Sequence, residues 1–576
     1  MKINKELREI IKFLEPIIIK TLVISIIINV ISLAPVLYMK NIYGPVVNSE
    51  SNFTLLMVTI ILLLMILLSG ALEIIRFKIL SMVGLILSEK LSKRLYQSSF
   101  EMYLTKRDPN ARRVIQDFKI VRTFISSPLS GALLDTPISL VFIILVMYVH
   151  PKMGVMSIVA AIIMMIITLK NENKNKVILE ESNLNNVQSQ LYIADSITNA
   201  QTVQAMGMLD DLRKRWNNKY EQYSKNLSEA TENQITSSTI TKFVMLIQGS
   251  AIIGVGCLLT LEGSLPPDGG SMIVASILGG KALQPLMRLI GGWKVLITTK
   301  DSFENLNQFL ENNKKYEEKM NLPIPLGKLD VENLIARPPG TKKTVINGMT
   351  FTLKQGRSLA IIGPSGSGKS SLTKLLVGVW QPLSGSVRLD DADLFNWPKK
   401  EVGKYIGYLP QEIELLEGSI LENICRFGIE DQTKAEKAAS LVGIHDYICS
   451  LKNGYRTIIN EEDGLFSGGQ IQKIGLARAI YDDPKLVVLD EPNSNLDKKG
   501  EASLYQTIAY LKAKLTTVVI ITHRPELLNH VDRIIVLSDG RPKLYGPRDQ
   551  VLEKLAGKNI KSISPEEAEK YKKQLK

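Results

Sequence analysis

The sequence predicts a multi-domain membrane protein: an all-α domain of six transmembrane helices, then an α/β P-loop NTPase nucleotide-binding domain. Three observations carry this reading. Long apolar runs crowd the first 300 residues, whereas the last 250 read as a soluble α/β protein. Gly363-Pro364-Ser365-Gly366-Ser367-Gly368-Lys369-Ser370 has the spacing G-x-x-x-x-G-K-S between an apolar strand, Leu359–Ile362, and a helical stretch from Ser371. A second apolar strand, Leu486–Leu489, ends in two carboxylates, Asp490 and Glu491. The boundaries read as 1–300 for the membrane domain with long cytoplasmic helical loops and 301–327 for a linker. The nucleotide-binding domain then takes 328–557, and 558–576 is a charged tail.

In chain order, the predicted spans are Ile17–Met39, Phe53–Leu72, Leu129–Val149, Met153–Leu169, Phe243–Leu261 and one from about Ser271. A run of this length crosses roughly 30 Å of hydrocarbon as a helix. Met1–Glu15 reads as a polar lead-in, and Pro35 is expected to bend the first span near its far end. His150-Pro151-Lys152 leaves room only for a tight hairpin. The net charge of +13 is concentrated in the N-terminus and the two long loops, 73–128 and 170–242, with few basic residues in the loops opposite. By the positive-inside rule the long loops and both termini are expected to be cytoplasmic, which accounts for the charge without nucleic acid. Three cysteines, Cys257, Cys425 and Cys449, supply neither a disulfide framework nor a metal spacing. The first span is too long for a cleavable signal peptide.

The chemistry follows from the glycine-rich turn. Its glycines let successive backbone N–H groups face phosphate oxygens at the positive end of the following helix. Lys369 reaches the β- and γ-phosphates, and Ser370 offers its hydroxyl to Mg²⁺. Asp490 belongs beside the metal, and Glu491 is expected on the opposite face of the strand end as base toward water. Ser467-Gly468-Gly469-Gln470 precedes a predicted helix, 471–481, and makes a second anion cradle. One nucleotide does not need two cradles on one face, so the second is expected to close over a nucleotide held by another subunit.

With these motifs in place the chain resembles an ATP-binding-cassette exporter of the half-transporter type. Six ordered motifs carry the resemblance: Gly363–Ser370, Gln411 in a Q-loop, Ser467–Gln470, Asp490 with Glu491, Leu496-Asp497 in a D-loop, and the switch position His523. The resemblance implies a type I exporter fold and a head-to-tail homodimer with ATP and Mg²⁺ between P-loop and signature. It places Gln411 on metal or water, His523 on the γ-phosphate, and Ser371 and Asp497 among the nucleotide contacts. Glu491-Pro-Asn-Ser-Asn-Leu-Asp497, Ala205–Met208 and Gly269–Pro285 are similar to the PrtD-type transporters of type I protein secretion. That likeness implies a periplasmic membrane fusion protein and a TolC-like outer-membrane channel as partners. It also implies unfolded polypeptide cargo with a C-terminal signal. Export of lipids or small hydrophobic molecules is the alternative within the fold, and an ATP-dependent regulator or channel gate the alternative outside it. One departure concerns the base: Ala336–Gly340 has no aromatic where the family stacks one on adenine, leaving Arg337 or a proline face. No N-terminal peptidase domain is expected before Ile17.

The tips of the long loops, Thr105–Arg112 and Gln204–Asp210, are expected either to couple the two domains or to be plain surface helix. Glu461 matches the loop that senses coupling helices in exporters. Lys281 and Arg288, seven apart on one helical face, either line the translocation path or mark a span that ends early at the cytoplasmic boundary.

Overall fold

The computed structural model describes residues 4–106, 110–265, 269–313, 322–459 and 466–559. It divides into two compact units, Met1–Phe100 with Pro109–Lys315 and Glu101–Asp108 with Tyr316–Lys576.

The first unit is helical: α1 (Lys5–Ile31), α2 (Ala34–Asn41), a π-helical turn (Ile42–Val46), α3 (Val47–Ser49), α4 (Asn52–Lys106), α5 (Asn110–Ile125), α6 (Pro128–Val149), α7 (Pro151–Thr198), α8 (Ala200–Ala205), α9 (Leu209–Leu261), α10 (Gly270–Gly291) and α11 (Trp293–Asn312). Among the described residues, six helical stretches are long and apolar enough to cross a membrane, one in each predicted place. The lead-in is a correction: the chain is helical from Lys5, because Asn4 caps Glu6 N–H and Leu7 and Leu14 are buried. The bend predicted at Pro35 is a break at Ser32–Leu33, with Pro35 in the first turn of a new helix, where its missing N–H costs nothing. His150 makes the expected hairpin by itself. Its N–H closes α6 onto Val146 O at 3.1 Å, and its Nδ1 accepts from Lys152 N–H at 3.2 Å to open α7.

The long extensions beyond the apolar stretches come from the same helices. α7 and α9 pack along each other and are joined by α8 and a turn in which Gly207 has φ +67°. The short helix therefore occupies 200–205 rather than the expected Gln204–Asp210, because Asn199 stops α7 and Gly207 reverses the chain. Residues 107–109 of the other predicted tip, and Glu461, lie outside the described residues.

Three helices share a buried ionic cluster that the sequence did not announce. Arg76 of α4 is 2 % exposed, and its Nη1 lies 2.9 Å from Asp135 Oδ1 of α6. Asn29 Nδ2 of α1 donates to the same Oδ1 at 3.0 Å, and Arg76 Nη1 also donates to Ser25 Oγ at 3.2 Å. Paired and bonded in this way, charge is tolerated in an apolar unit, and breaking one side of such a pair costs about 3–5 kcal/mol.

The second unit has two main sheets, with strands β1 (Leu329–Ala336), β2 (Ile346–Leu353), β3 (Ser358–Ile362), β4 (Ser384–Leu389), β5 (Ala392–Asp393), β6 (Ile406–Leu409), β7 (Gly418–Ser419), β8 (Ile458–Ile459), β9 (Leu486–Asp490), β10 (Thr517–Ile521), β11 (Arg533–Ser538) and β12 (Arg541–Pro547). Its helices are α12 (Lys369–Leu376), α13 (Lys399–Val402), α14 (Ile420–Ile424), α15 (Gln432–Leu441), α16 (His445–Ser450), α17 (Gly468–Ile480), α18 (Lys498–Ala513), α19 (Pro525–Leu528) and α20 (Arg548–Asn559). The central sheet runs β12-β11-β3-β10-β9-β6, with β3, β6, β9, β10 and β11 parallel. Val487–Leu489 and Val518–Ile521 are 0 % exposed, which is why these strands read as unbroken apolar runs: both faces are covered. β2-β1-β4-β5 forms the antiparallel sheet, and β1 runs on to Ala336. Asn333 takes φ +42° there and absorbs a bulge, so pairing with β2 resumes beyond it.

Candidate nucleotide site

Four parallel strands deliver the candidate site to one edge of the sheet. β3 runs into Gly363, β6 ends two residues before Gln411, β9 ends at Asp490, and β10 ends two residues before His523. In open parallel sheets ligands bind off these carboxyl ends, where strands hand over to loops.

The loop from Gly363 to Lys369 is fixed by close approach. A Cβ on Gly363 would stand 2.1 Å from Leu537 O, and one on Gly368 (φ +100°) 3.0 Å from Val345 Cγ1. Gly368 is the N-cap of α12 with no side-chain cap bond, so the first N–H groups of that helix meet no capping side chain. Lys369, the first residue of α12, bends its Nζ back to Gly363 O at 2.9 Å and Pro364 O at 2.8 Å. Burial pulls its ammonium below the ordinary lysine range, while Glu491 and Asp490 oppose that shift. Ser367 Oγ is buried and, among the described residues, lacks a hydrogen-bond partner.

Beside this loop the polar groups converge. Ser370 Oγ donates to Gln411 Oε1 at 3.3 Å. Thr373, one turn along α12, donates from Oγ1 to Asp490 Oδ2 at 3.3 Å. Asp490 is 2 % exposed, and its Oδ1 has no hydrogen-bond partner among the described residues. Burial holds its carboxyl above the ordinary range, opposed by the Ser370 and Thr373 hydroxyls and reinforced by Glu491. Glu491 is a correction in its geometry. It does not reach its side by strand alternation, because β9 ends at Asp490 and Glu491 turns into the left-handed region at φ +51°. A non-glycine residue held there costs about 1–3 kcal/mol, a strain that recurs at functional positions. The turn brings Glu491 Oε1 to 3.4 Å from His523 Nε2. The structure thus gathers Lys369, Ser370, Gln411, Asp490, Glu491 and His523. Oxygen donors from Ser370, Gln411 and Asp490, one of them unpartnered, fit a hard divalent cation.

The signature stretch stands apart. Ser467 and Gln470 form a reciprocal capping box: Ser467 N–H donates to Gln470 Oε1 at 2.8 Å, and Gln470 N–H to Ser467 Oγ at 3.4 Å. That box starts α17 at Gly468, three residues before the predicted Ile471. Ser467 and Gly468 are exposed. Asp497 accepts from Gly500 N–H at 2.8 Å as N-cap of α18, so its side chain is engaged within its own loop. Arg337 is exposed just beyond β1, whose hairpin partner Val345 lines Gly368. The sequence reading missed Gln472. It is 1 % exposed, gives its Nε2 to Glu491 O at 3.2 Å, and accepts from Asn495 N–H at 2.8 Å. One side chain thereby joins the signature helix to the turn that carries Glu491. Its only signal was an amide at an otherwise apolar helical position.

Fold and site define an ABC transporter with its membrane domain and its cassette on one chain. Residues 346–494 match the ABC transporter family, and residues 18–279 match the ABC transporter transmembrane region. The chain is 34% identical over 542 residues to the type I secretion system ATP-binding protein PrsD of Rhizobium meliloti (strain 1021), covering 92% of this chain and 91% of that protein. It is 27% identical over 560 residues to the leukotoxin translocation ATP-binding protein LktB of Mannheimia haemolytica, covering 94% of this chain and 77% of that one. A bacterial Atm1-family ABC exporter with ATP bound shares the fold at TM-score 0.80 and 19% identity, over 96% of this chain and 99% of that chain. The chain belongs to the type I secretion ATP-binding proteins of the ABC transporter family. It is a multi-pass membrane protein that binds ATP and couples its hydrolysis to transport.

Proposed function

We propose that this chain is the ATP-driven component of a type I protein secretion system, moving unfolded polypeptides with C-terminal signals across the bacterial inner membrane. The observation that carries the proposal is the 34% identity to PrsD over 92% of this chain and 91% of that protein. In this reading the cytoplasmic side holds both termini, and two copies of the chain assemble head to tail. A periplasmic membrane fusion protein and a TolC-like outer-membrane channel complete the route.

Each residue then has a task. The free N–H groups of α12 and Lys369 hold the β- and γ-phosphates. Ser370, Gln411 and Asp490 hold Mg²⁺, which neutralises phosphate charge when bound. Glu491 Oε1 takes the proton from an attacking water, and His523, 3.4 Å from that carboxylate, keeps it oriented and contacts the γ-phosphate. Ser467, Gly468, Gly469 and Gln470 face the nucleotide of the opposite copy, with Asp497 ordering the loop beside them. Arg337 packs against the base. Lys281 and Arg288 line the path: Lys281 lies about 17 Å along α10 and Arg288 about 27 Å, with α10 continuing to Gly291.

The function is tested by reconstituting the full chain in vesicles and following ATP-dependent entry of a polypeptide with and without its C-terminal segment. Entry that needs ATP and that segment is expected. ATP-driven movement of lipid or dye in place of polypeptide would overturn the proposal. Lys281→Ala and Lys281→Glu should alter secretion with all spans inserted. Unchanged secretion together with unchanged cargo-stimulated ATPase removes Lys281 from the path.

A further inference from the structure

Arg426 lies outside every motif above. It follows α14 with φ +58°, and Phe427 follows at +54°, so two successive non-glycine residues are left-handed. That backbone turns the guanidinium inward, where it is largely buried. Among the described residues it makes five hydrogen bonds, all to main-chain carbonyls. Nε reaches Arg478 O at 2.9 Å, and Nη2 reaches Ala479 O at 3.0 Å and Tyr481 O at 3.4 Å. Nη1 turns the other way, to Gly403 O at 2.9 Å and Ile406 O at 3.0 Å.

These carbonyls belong to two elements. Arg478, Ala479 and Tyr481 close α17, the helix whose first turn is the signature. That helix ends at Tyr481 in extended geometry, without a left-handed glycine to satisfy its last carbonyls. A cation there also complements the helix dipole. Gly403 and Ile406 stand at the start of β6, the strand that leads to Gln411. The two elements are pressed together at this point: a Cβ on Gly407 would lie 2.0 Å from Ala479 O. Burial lowers the guanidinium to about 10, with Asp482 opposing and Arg478 reinforcing, so it stays charged at neutral pH. The neighbouring segment is built to hold Arg426 in place. Ser419 and Glu422 form a capping box, and Asn423 accepts from Leu416 N–H at 2.9 Å and donates to Leu416 O at 2.8 Å.

We propose that Arg426 is a positioning residue for ATP hydrolysis: its fork fixes the signature helix against the strand carrying Gln411, and so sets where the signature meets a nucleotide held by a second copy. The planar fork is needed because its nitrogens reach carbonyls on both sides at once. A lysine ammonium in the same place is a single point and keeps only one side. The proposal rests on the head-to-tail reading, in which the signature acts on the partner's nucleotide.

The test uses the full chain in lipid nanodiscs, with Arg426→Lys and Arg426→Gln. A fluorescent ATP analogue should bind each variant within about twofold of wild type, which reports an intact P-loop half and an intact fold. The ATP concentration for half-maximal turnover should rise by about fivefold or more, with Gln worse than Lys. Loss of analogue binding along with turnover overturns the proposal in favour of a general structural role, as does unchanged half-saturation. Mixed dimers separate this from the reading beneath it. Lys369→Ala paired with Ser467→Arg regains turnover only if the site is shared between copies, so failure of that pair removes the head-to-tail reading. Lys369→Ala paired with Arg426→Gln should regain turnover to the same degree, because the intact P-loop then meets an intact signature helix. Recovery in the first pair without the second overturns the role of Arg426.

Discussion

The two anion cradles of this chain are built on opposite plans. The P-loop cradle sits at the carboxyl end of parallel strands, its helix opens on Gly368 without a side-chain cap, and Ser367 Oγ and Asp490 Oδ1 lack hydrogen-bond partners among the described residues. The signature cradle is exposed, and Ser467 and Gln470 satisfy each other across its first turn. The first is finished and leaves polar groups for a ligand. The second is closed upon itself and depends on Gln472 for its connection to the catalytic turn. The difference leads us to expect that nucleotide affinity and nucleotide turnover belong to different parts of one domain, and that variants should separate them.

The largest separation is expected at Glu491. Glu491→Gln removes the proposed base and keeps the shape, so phosphate release should fall by about 10²–10⁴-fold while nucleotide affinity holds. Turnover within a few-fold of wild type would sink Glu491 as the base. Gln472→Ala comes next. It leaves Glu491 O and Asn495 N–H without this partner at a buried site, a loss of about 1–3 kcal/mol. Thermal unfolding of the nucleotide-binding half should drop accordingly, and turnover should fall more than affinity. Equal losses in both would dissolve the distinction between the cradles. The smallest effect belongs to Gln470→Ala. Removing one arm of the box weakens the start of α17 by about 0.5–1 kcal/mol. Equilibrium binding of an ATP analogue should not change, and a clear loss of binding would show that the signature contributes to affinity after all.

Much of the site was legible because its parts are short and local. A glycine turn after an apolar strand, and carboxylates at the end of another, need only neighbours in sequence to be read. The six spans were equally plain, since length and hydropathy alone report a helix in lipid. What escaped depends on distant partners or on single dihedral angles. Arg76 looked like one more basic loop residue, and only the fold brings Asp135 of another helix to 2.9 Å. Glu491 was expected on an alternating strand, and its left-handed turn is set by the main-chain bond from its N–H to Ile521 O at 3.0 Å. Gln472 carries no local pattern. The early starts of α1 and α17 were within reach, because Asn4 and the Ser467–Gln470 pair are capping signals readable from sequence.

The length of α4 has a mechanical consequence. Its 55 residues make a rod of about 80 Å, of which roughly 30 Å suffices to cross hydrocarbon. The remaining stretch of about 50 Å is an unbroken extension of the same helix, with Leu80, Val83, Leu87, Leu91 and Leu95 buried along one side. A rod pivoting near its membrane end converts a tilt of only about 5° into a swing of roughly 4 Å at the tip of that stretch. Gearing of this kind runs in both directions. A shift of a few ångströms pressed on the tip becomes a small but forceful rotation at lipid depth, as a long handle opens a stiff valve.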